Sequence, residues 1–249
     1  MPLSDTHKPE PGLIGLVGGM SWESTALYYA RLNRLAHRRL GGHHNARSVL
    51  VTLDFEDLLS RGGRGDWAGV GALVAAAART TEQAGADFVM LTAMTGHAVA
   101  DDVAAAITVP LLHAGDVLAR TAADTGLRRV GLLGTSTTLT GTFLTSRLDA
   151  RGIAPLVPDA ETRERIDRMI FEHLTIGTVA DEDRREIVEI ADALKSEGAE
   201  AIVLACTELP LLFAGPNADA GFIDLVDLHV ETAVDWALNG IPDAVWHHS

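Results

Sequence analysis

The single cysteine of this chain, Cys206, ends an apolar run and is followed at once by Thr207, Glu208 and a proline, in the stretch AIVLACTELPLLF from Ala201 to Phe213. A thiol suits proton transfer to and from carbon, because its reference pKa of roughly 8.5 is tuned toward neutrality by nearby donors or a helix N-terminus. Thr207 adds a hydroxyl donor, and Glu208 either orients the thiol or caps the next helix. Free cysteine is also among the most buried residue types, so the residues alone leave a packing role open. Two glycine turns stand out as well. GGMSW over 18–22, with Met20 at its centre, sits at a helix start where backbone N–H groups can receive a carboxylate. GTSTT over 134–138, with Thr135, is its counterpart later in the chain. His97 and His113 read as buried, hydrogen-bonded structural histidines. The glycine-rich loop GGRGDW over 62–67 is either a mobile lid or an ordinary surface loop. No Cys/His spacing matches a zinc site, and no metal is expected.

These residues hang on alternating strands and helices. GLIGLVGG reads as strand then turn, and residues 21–42 as a helix capped by Ser21 and stopped by Gly41 and Gly42. Strands are expected at 47–55, 87–94, 109–116, 128–136 and 200–207. Helices are expected at 66–85, 97–107, 139–152, 162–177, 181–198 and 229–240. The order predicts parallel sheets with helices on both faces.

The pattern restarts midway. IGLVGGMSWESTALYYARL resembles VGLLGTSTTLTGTFLTSRL, with 116 residues between Gly15 and Gly131. GADFVMLTA resembles GAEAIVLAC, with 113 residues between Gly85 and Gly198. Two matched segments at nearly one spacing point to a duplicated α/β unit. The expected fold is α/β, with two pseudosymmetric parallel-sheet halves. The first half is expected at 1–113 plus 214–249 and the second at 114–213, with the active site in the cleft between them, beyond the carboxyl ends of the strands. Counted from the leading glycines, Cys206 is paired by this symmetry with Ala93.

The motifs GLVGGMSWEST, LDFEDL, GADFVML, HAVAD, PLLHAGD, VGLLGT, MIFEHLTIG, LACTELPLL and DLVDLHVETAVDWAL, in that order over nearly the whole chain, resemble the cofactor-independent aspartate/glutamate racemase family. The resemblance implies removal of a proton from an α-carbon on one face and return on the other, with no cofactor. It also implies a homodimer with the active site between two α/β halves. Cys206 is then the catalytic thiol of the second half. Arg47 stands where some members hold the substrate carboxylate, and a guanidinium would supply local positive charge.

The sequence departs from the family at the first-half motif, usually a cysteine or threonine followed by Asn-Thr. Here it is LTAMTGHAVAD, which places Ala93 at the catalytic position and Met94 at the asparagine, and keeps Thr95. Alanine carries no proton, and methionine lacks the amide donors of asparagine. Thr92, one residue earlier, points to the other face of an extended strand. Ser136 replaces an arginine common in the family. Three readings follow: a racemase or isomerase with a non-standard second donor, a one-thiol decarboxylase or lyase of the arylmalonate decarboxylase type, and a ligand-binding homologue without turnover. An apolar wall at Ala93 and Met94 favours a larger apolar substituent on the substrate.

The 249 residues carry 20 basic and 34 acidic side chains, for a formal charge of −14, which disfavours nucleic acid and anionic lipid as partners. No apolar run spans a membrane. A lone free thiol fits a reducing cytoplasm. The expected partner is a small carboxylic or amino acid.

Overall fold

The computed structural model describes residues 10–213 and 221–243. The chain forms two four-stranded parallel sheets of the same topology. In the first, strands β1 (Ile14–Gly18), β2 (Ser48–Thr52), β3 (Phe88–Leu91) and β4 (Leu111–Leu112) lie in the order β2-β1-β3-β4. In the second, β5 (Arg129–Leu133), β6 (Ala154–Leu156), β7 (Ala201–Leu204) and β8 (Phe222–Asp224) lie in the order β6-β5-β7-β8. The short, wholly buried strands match the apolar runs read from the sequence, as expected for parallel sheets covered on both faces.

The repeat extends to the hydrogen-bond register. Ile14 pairs with Phe88, and 116 and 113 residues further on, Val130 pairs with Ala201. Beyond the strands, the amide of Thr92 donates to the Val17 carbonyl and the amide of Ala205 donates to that of Leu133, again the same pair of offsets. Ala93 and Cys206 are the next residues in each half, so they occupy equivalent places in the backbone.

Ten α-helices are described: α1 (Trp22–Leu40), α2 (Phe55–Gly63), α3 (Trp67–Gln83), α4 (Ala100–Ala104), α5 (Ala114–Asp124), α6 (Ser136–Thr140), α7 (Thr142–Asp149), α8 (Ala160–Arg168), α9 (Asp181–Ser196) and α10 (Leu225–Asn239). Ser21 caps α1 by accepting the Ser24 amide, and Gly41 ends it at φ +74°, as the sequence indicates. Helix α2 was not expected. Asp54 caps it through the Glu56 amide, cutting the expected strand short at Thr52. The helix expected over 139–152 is two pieces meeting at Gly141, and that over 162–177 ends in a π turn, Met169–His173.

The last helix of each half packs on the other half. Helix α5 follows β4 but packs on α7, while α10 follows β8 but packs on α1, and α5 and α10 touch each other. Both belong to one core layer with Ile14, Leu16, Tyr28, Phe88 and Met90 of the first half and Val130, Leu132, Leu144, Leu148 and Val203 of the second. Outer cores close the far faces, under α3 in the first half and under α8 and α9 in the second. The expected boundary at 213 is corrected by β8, which pairs with β7 and carries the second half through Asp224.

Two ion pairs lock the exchanged helices. Arg31 on α1 meets Asp224 and Asp227 at the start of α10 at 2.6 and 2.8 Å. Arg147 on α7, 116 residues after Arg31, grips both carboxylate oxygens of Asp116 on α5 at 2.7 and 2.8 Å. The 116-residue offset between the two arginines was present in the sequence and passed unread.

Candidate active site

The loop after β7 builds a compact polar group. The Cys206 sulfur lies 3.1 Å from Glu208 Oε2, and the Thr207 hydroxyl donates to the same oxygen at 2.5 Å. The backbone amides of Glu208 and Leu209 also face the sulfur and favour its thiolate. Burial, with only 6% of the residue exposed, and the adjacent Glu208 charge outweigh them and push the thiol well above its ordinary range. Cys206 is therefore a protonated thiol donating to a carboxylate. Met169, Ile170, Leu174, Leu209 and Phe213 enclose it. Chain direction explains the placement. Strand alternation turns Ala205 into the shared core and Cys206 to the other side, while the turn that follows presents its amides.

The equivalent place after β3 holds no acid. Ala93 is buried in the first half's outer core together with Met20. A 3-10 turn, Thr95–Val99, follows, with Thr95 half-buried. Met20 packs on this turn, since a Cβ at Gly96 would lie 2.8 Å from Met20 Cε. Met94 does not line the wall as expected. It turns into the layer shared by the halves, where its adaptable thioether fills the core. Ala205 enters that same layer, so the two strand ends border one inter-half layer.

Thr92 is closed off as a substitute acid. It is fully buried, its hydroxyl lies 3.0 Å from that of Thr25, and it donates to the Val17 carbonyl at 3.2 Å. Thr25 in turn accepts the Gly19 amide at 2.9 Å. Gly19 adopts φ +92°, and any Cβ there would lie 2.0 Å from the Leu53 carbonyl oxygen. The GGMSW turn thus needs its glycine for close backbone approach.

Arg47 stands apart from this group. It precedes β2, and its carbonyl accepts the Ile14 amide at the start of β1, so it marks the amino ends of the strands, whereas Ala93 follows a carboxyl end. Its guanidinium, half-exposed, bonds the Pro11 carbonyl and Glu10. Thr135 is a helix cap, its hydroxyl accepting the Thr138 amide and donating to the Thr138 hydroxyl. Next to it the Ser136 amide is taken by Asp167 from α8 at 2.8 Å, a contact with no sequence signal. The 62–67 loop is tied by an Arg61–Asp66 pair and by Asp66 capping α3.

The expected structural histidines form a buried cluster with His229. His97 Nδ1 donates to the carbonyls of Ala93 and Met94, bracing the first-half strand end, while its Nε2 accepts the Ala114 amide. His113 stacks edge-on against His97 at 4.5 Å and caps α5 through the Gly115 amide. His229 donates to the Leu112 carbonyl and accepts from the Tyr28 hydroxyl. Burial lowers His97 to about 4 and His229 to about 3, and holds His113 lower still, so all three are neutral. A groove of about 490 Å³ between α8 and α9 shares no residue with these groups, and its arginines Arg165 and Arg185 are paired with Glu186 and Glu182.

The profile of the Asp/Glu/Hydantoin racemase family matches residues 17–233. The chain belongs to that family. A crystal structure from Yersinia pestis, described as a candidate Asp/Glu racemase, is 35% identical with a TM-score of 0.85, covering 92% of this chain and 100% of that one. An aspartate racemase homologue from Pyrococcus horikoshii is 30% identical, with a TM-score of 0.79 over 91% of this chain and 99% of that one. The aspartate racemase of Picrophilus torridus, at 20% identity and TM-score 0.69 over 91% and 94%, shares the fold. Membership supports an enzyme of the racemase type. No helix among the described residues is long and apolar enough to cross a membrane.

Proposed function

We propose that this family member is a cofactor-independent isomerase acting at the α-carbon of a small acidic amino acid or related carboxylic acid, with the Cys206 thiol as its proton-transfer group. The observation that carries the reading is the Cys206–Glu208 contact at the strand end that register makes equivalent to Ala93. Glu208 takes the thiol proton, leaving a thiolate held by the amides of Glu208 and Leu209. The thiolate removes the α-proton, and the returning proton on the opposite face comes from water or from Thr95. The substrate lies between the halves, bordered by Met20, Ala93 and Thr95 on one side and Cys206 and Thr207 on the other. The protein acts in the cytoplasm as a homodimer.

One observation favours a second reading. Ala93 leaves the first half without an ionisable side chain at the matched position, and Thr92 is locked into backbone bonds. A one-thiol decarboxylase needs no second acid. The carbon–carbon bond to a carboxylate breaks, CO2 leaves, and the electron pair on carbon takes the proton of the Cys206 thiol. The thiol is then reprotonated from solvent by way of Glu208.

Exchange in D2O separates the two. With aspartate or glutamate, an isomerase places deuterium at the α-carbon of both substrate and product while optical activity decays. With a substituted malonate, a decarboxylase releases CO2 and labels product alone. Absence of both, with ligand-induced thermal stabilisation only, leaves a binding protein.

A further inference from the structure

Helix α1 has two faces. Ser24, Thr25, Tyr28, Leu32, Leu35 and Ala36 are buried against the protein. On the outer side Trp22 is 68% exposed and Tyr29 50% exposed, with Ala26 exposed between them. At about 100° per residue these three fall within a stripe roughly 60° wide, and Ala30 lies at its edge. Beside the stripe, Leu50 on the edge strand β2 is 41% exposed, its Cδ1 within 3.2 Å of a Cβ built on Gly18. A second apolar stripe on a 19-residue helix, continued by an apolar side chain on a sheet edge, is a surface shaped for another helix.

The charges say which helix. Glu23 and Arg34 are both exposed, and among the described residues neither takes part in an ion pair. They are about three helical turns apart, so they lie on the same flank of the stripe, roughly 100–120° round from Trp22. When two copies of one helix pack antiparallel about a two-fold axis, the same flank meets itself with direction reversed. An axis passing between Tyr28 and Tyr29 then sets Glu23 of each copy opposite Arg34 of the other. Ala26 and Ala30 near the axis let the backbones approach closely.

We propose that the outer face of α1 is the two-fold interface between two copies of this chain. The inference rests on the homodimer reading above and names its surface. The self-complementary charge pattern is what selects a second copy over an unrelated partner: an acid near one end and a base near the other, both unpaired, flanking small and aromatic residues.

Sedimentation velocity over a concentration series tests it on the full chain. Wild type sediments as a dimer. Ala26→Arg, at an exposed position, sediments as a monomer with unchanged circular dichroism and melting temperature. Glu23→Arg and Arg34→Glu each set like charges opposite one another and raise the dimer dissociation constant by about tenfold, and the double exchange restores it to within about threefold. A dimer that survives Ala26→Arg overturns the α1 interface while leaving the homodimer reading standing. A wild-type monomer at all concentrations overturns both. A double exchange no tighter than the singles overturns the antiparallel arrangement. None of these outcomes bears on proton exchange at Cys206, which the D2O experiment decides separately.

Discussion

The ends of β3 and β7 are the same piece of backbone used in two ways. Register, strand order and the amide that follows each strand coincide at offsets of 116 and 113 residues. At one end stand Cys206, Thr207 and Glu208 in mutual contact. At the other, Ala93 is packed among apolar side chains and Met94 has been drawn into the core. The latches differ in the same manner. Arg31 meets two carboxylates, whereas Arg147 meets Asp116 alone, and His113 caps α5 as Asp224 caps α10. The duplicated fold therefore supplies two equivalent stations, and side-chain identity decides whether a station carries chemistry. The first has kept its bracing, through His97, and lost its acid.

Removing the active station gives the largest expected effect. Cys206→Ala lowers substrate deuterium exchange, followed by NMR, by more than about 10³-fold while the melting temperature stays near that of wild type. Full exchange in that variant would transfer the chemistry elsewhere.

Acid tests the bracing of the other station. His97, His113 and His229 are neutral when folded and take up protons near pH 6.5 when unfolded. The unfolded chain thus binds more protons below that pH. The stability they provide is complete above about 6.5 and is lost as pH falls toward 4, with a limiting slope of about 4 kcal/mol per pH unit for three groups. Asp224, raised by burial, acts in the opposite sense and only near the carboxylate range. Urea midpoints that stay flat between pH 7 and 5 would contradict the neutral cluster.

Glu208→Gln removes the charge that raises the thiol while keeping the shape of the side chain. Activity is expected to fall about 10- to 100-fold, with the alkaline limb of the pH–rate profile moved to lower pH. A profile that keeps its wild-type midpoints would reduce Glu208 to a loop contact.

Restoring the lost acid tests equivalence directly. Ala93→Cys is expected to confer slow but measurable racemisation of aspartate or glutamate in polarimetry, where wild type shows less. No gain, in a variant that remains folded, would mean that the stations no longer face a common substrate. The smallest effect is expected for Thr92→Val, which leaves catalysis intact and costs about 1–2 kcal/mol in chemical denaturation, because the Thr25 and Val17 carbonyl bonds are buried.

The sequence by itself carried the strand–helix order, the caps at Ser21 and Gly41, and the duplication. It also carried the pairing of Cys206 with Ala93, because periodicity and repeat spacing are local or additive along the chain. Helix α2 and strands β6 and β8 escaped it, being too short to show a period. Tertiary structure alone decided that Met94 serves the core, that Arg47 lies at the amino ends of the strands, and that Asp167 takes the Ser136 amide. Only the fold exchanged α5 and α10 between halves and raised the Cys206 thiol. These outcomes depend on which distant groups share a volume and how far water is excluded from it, and residue order does not encode either quantity locally.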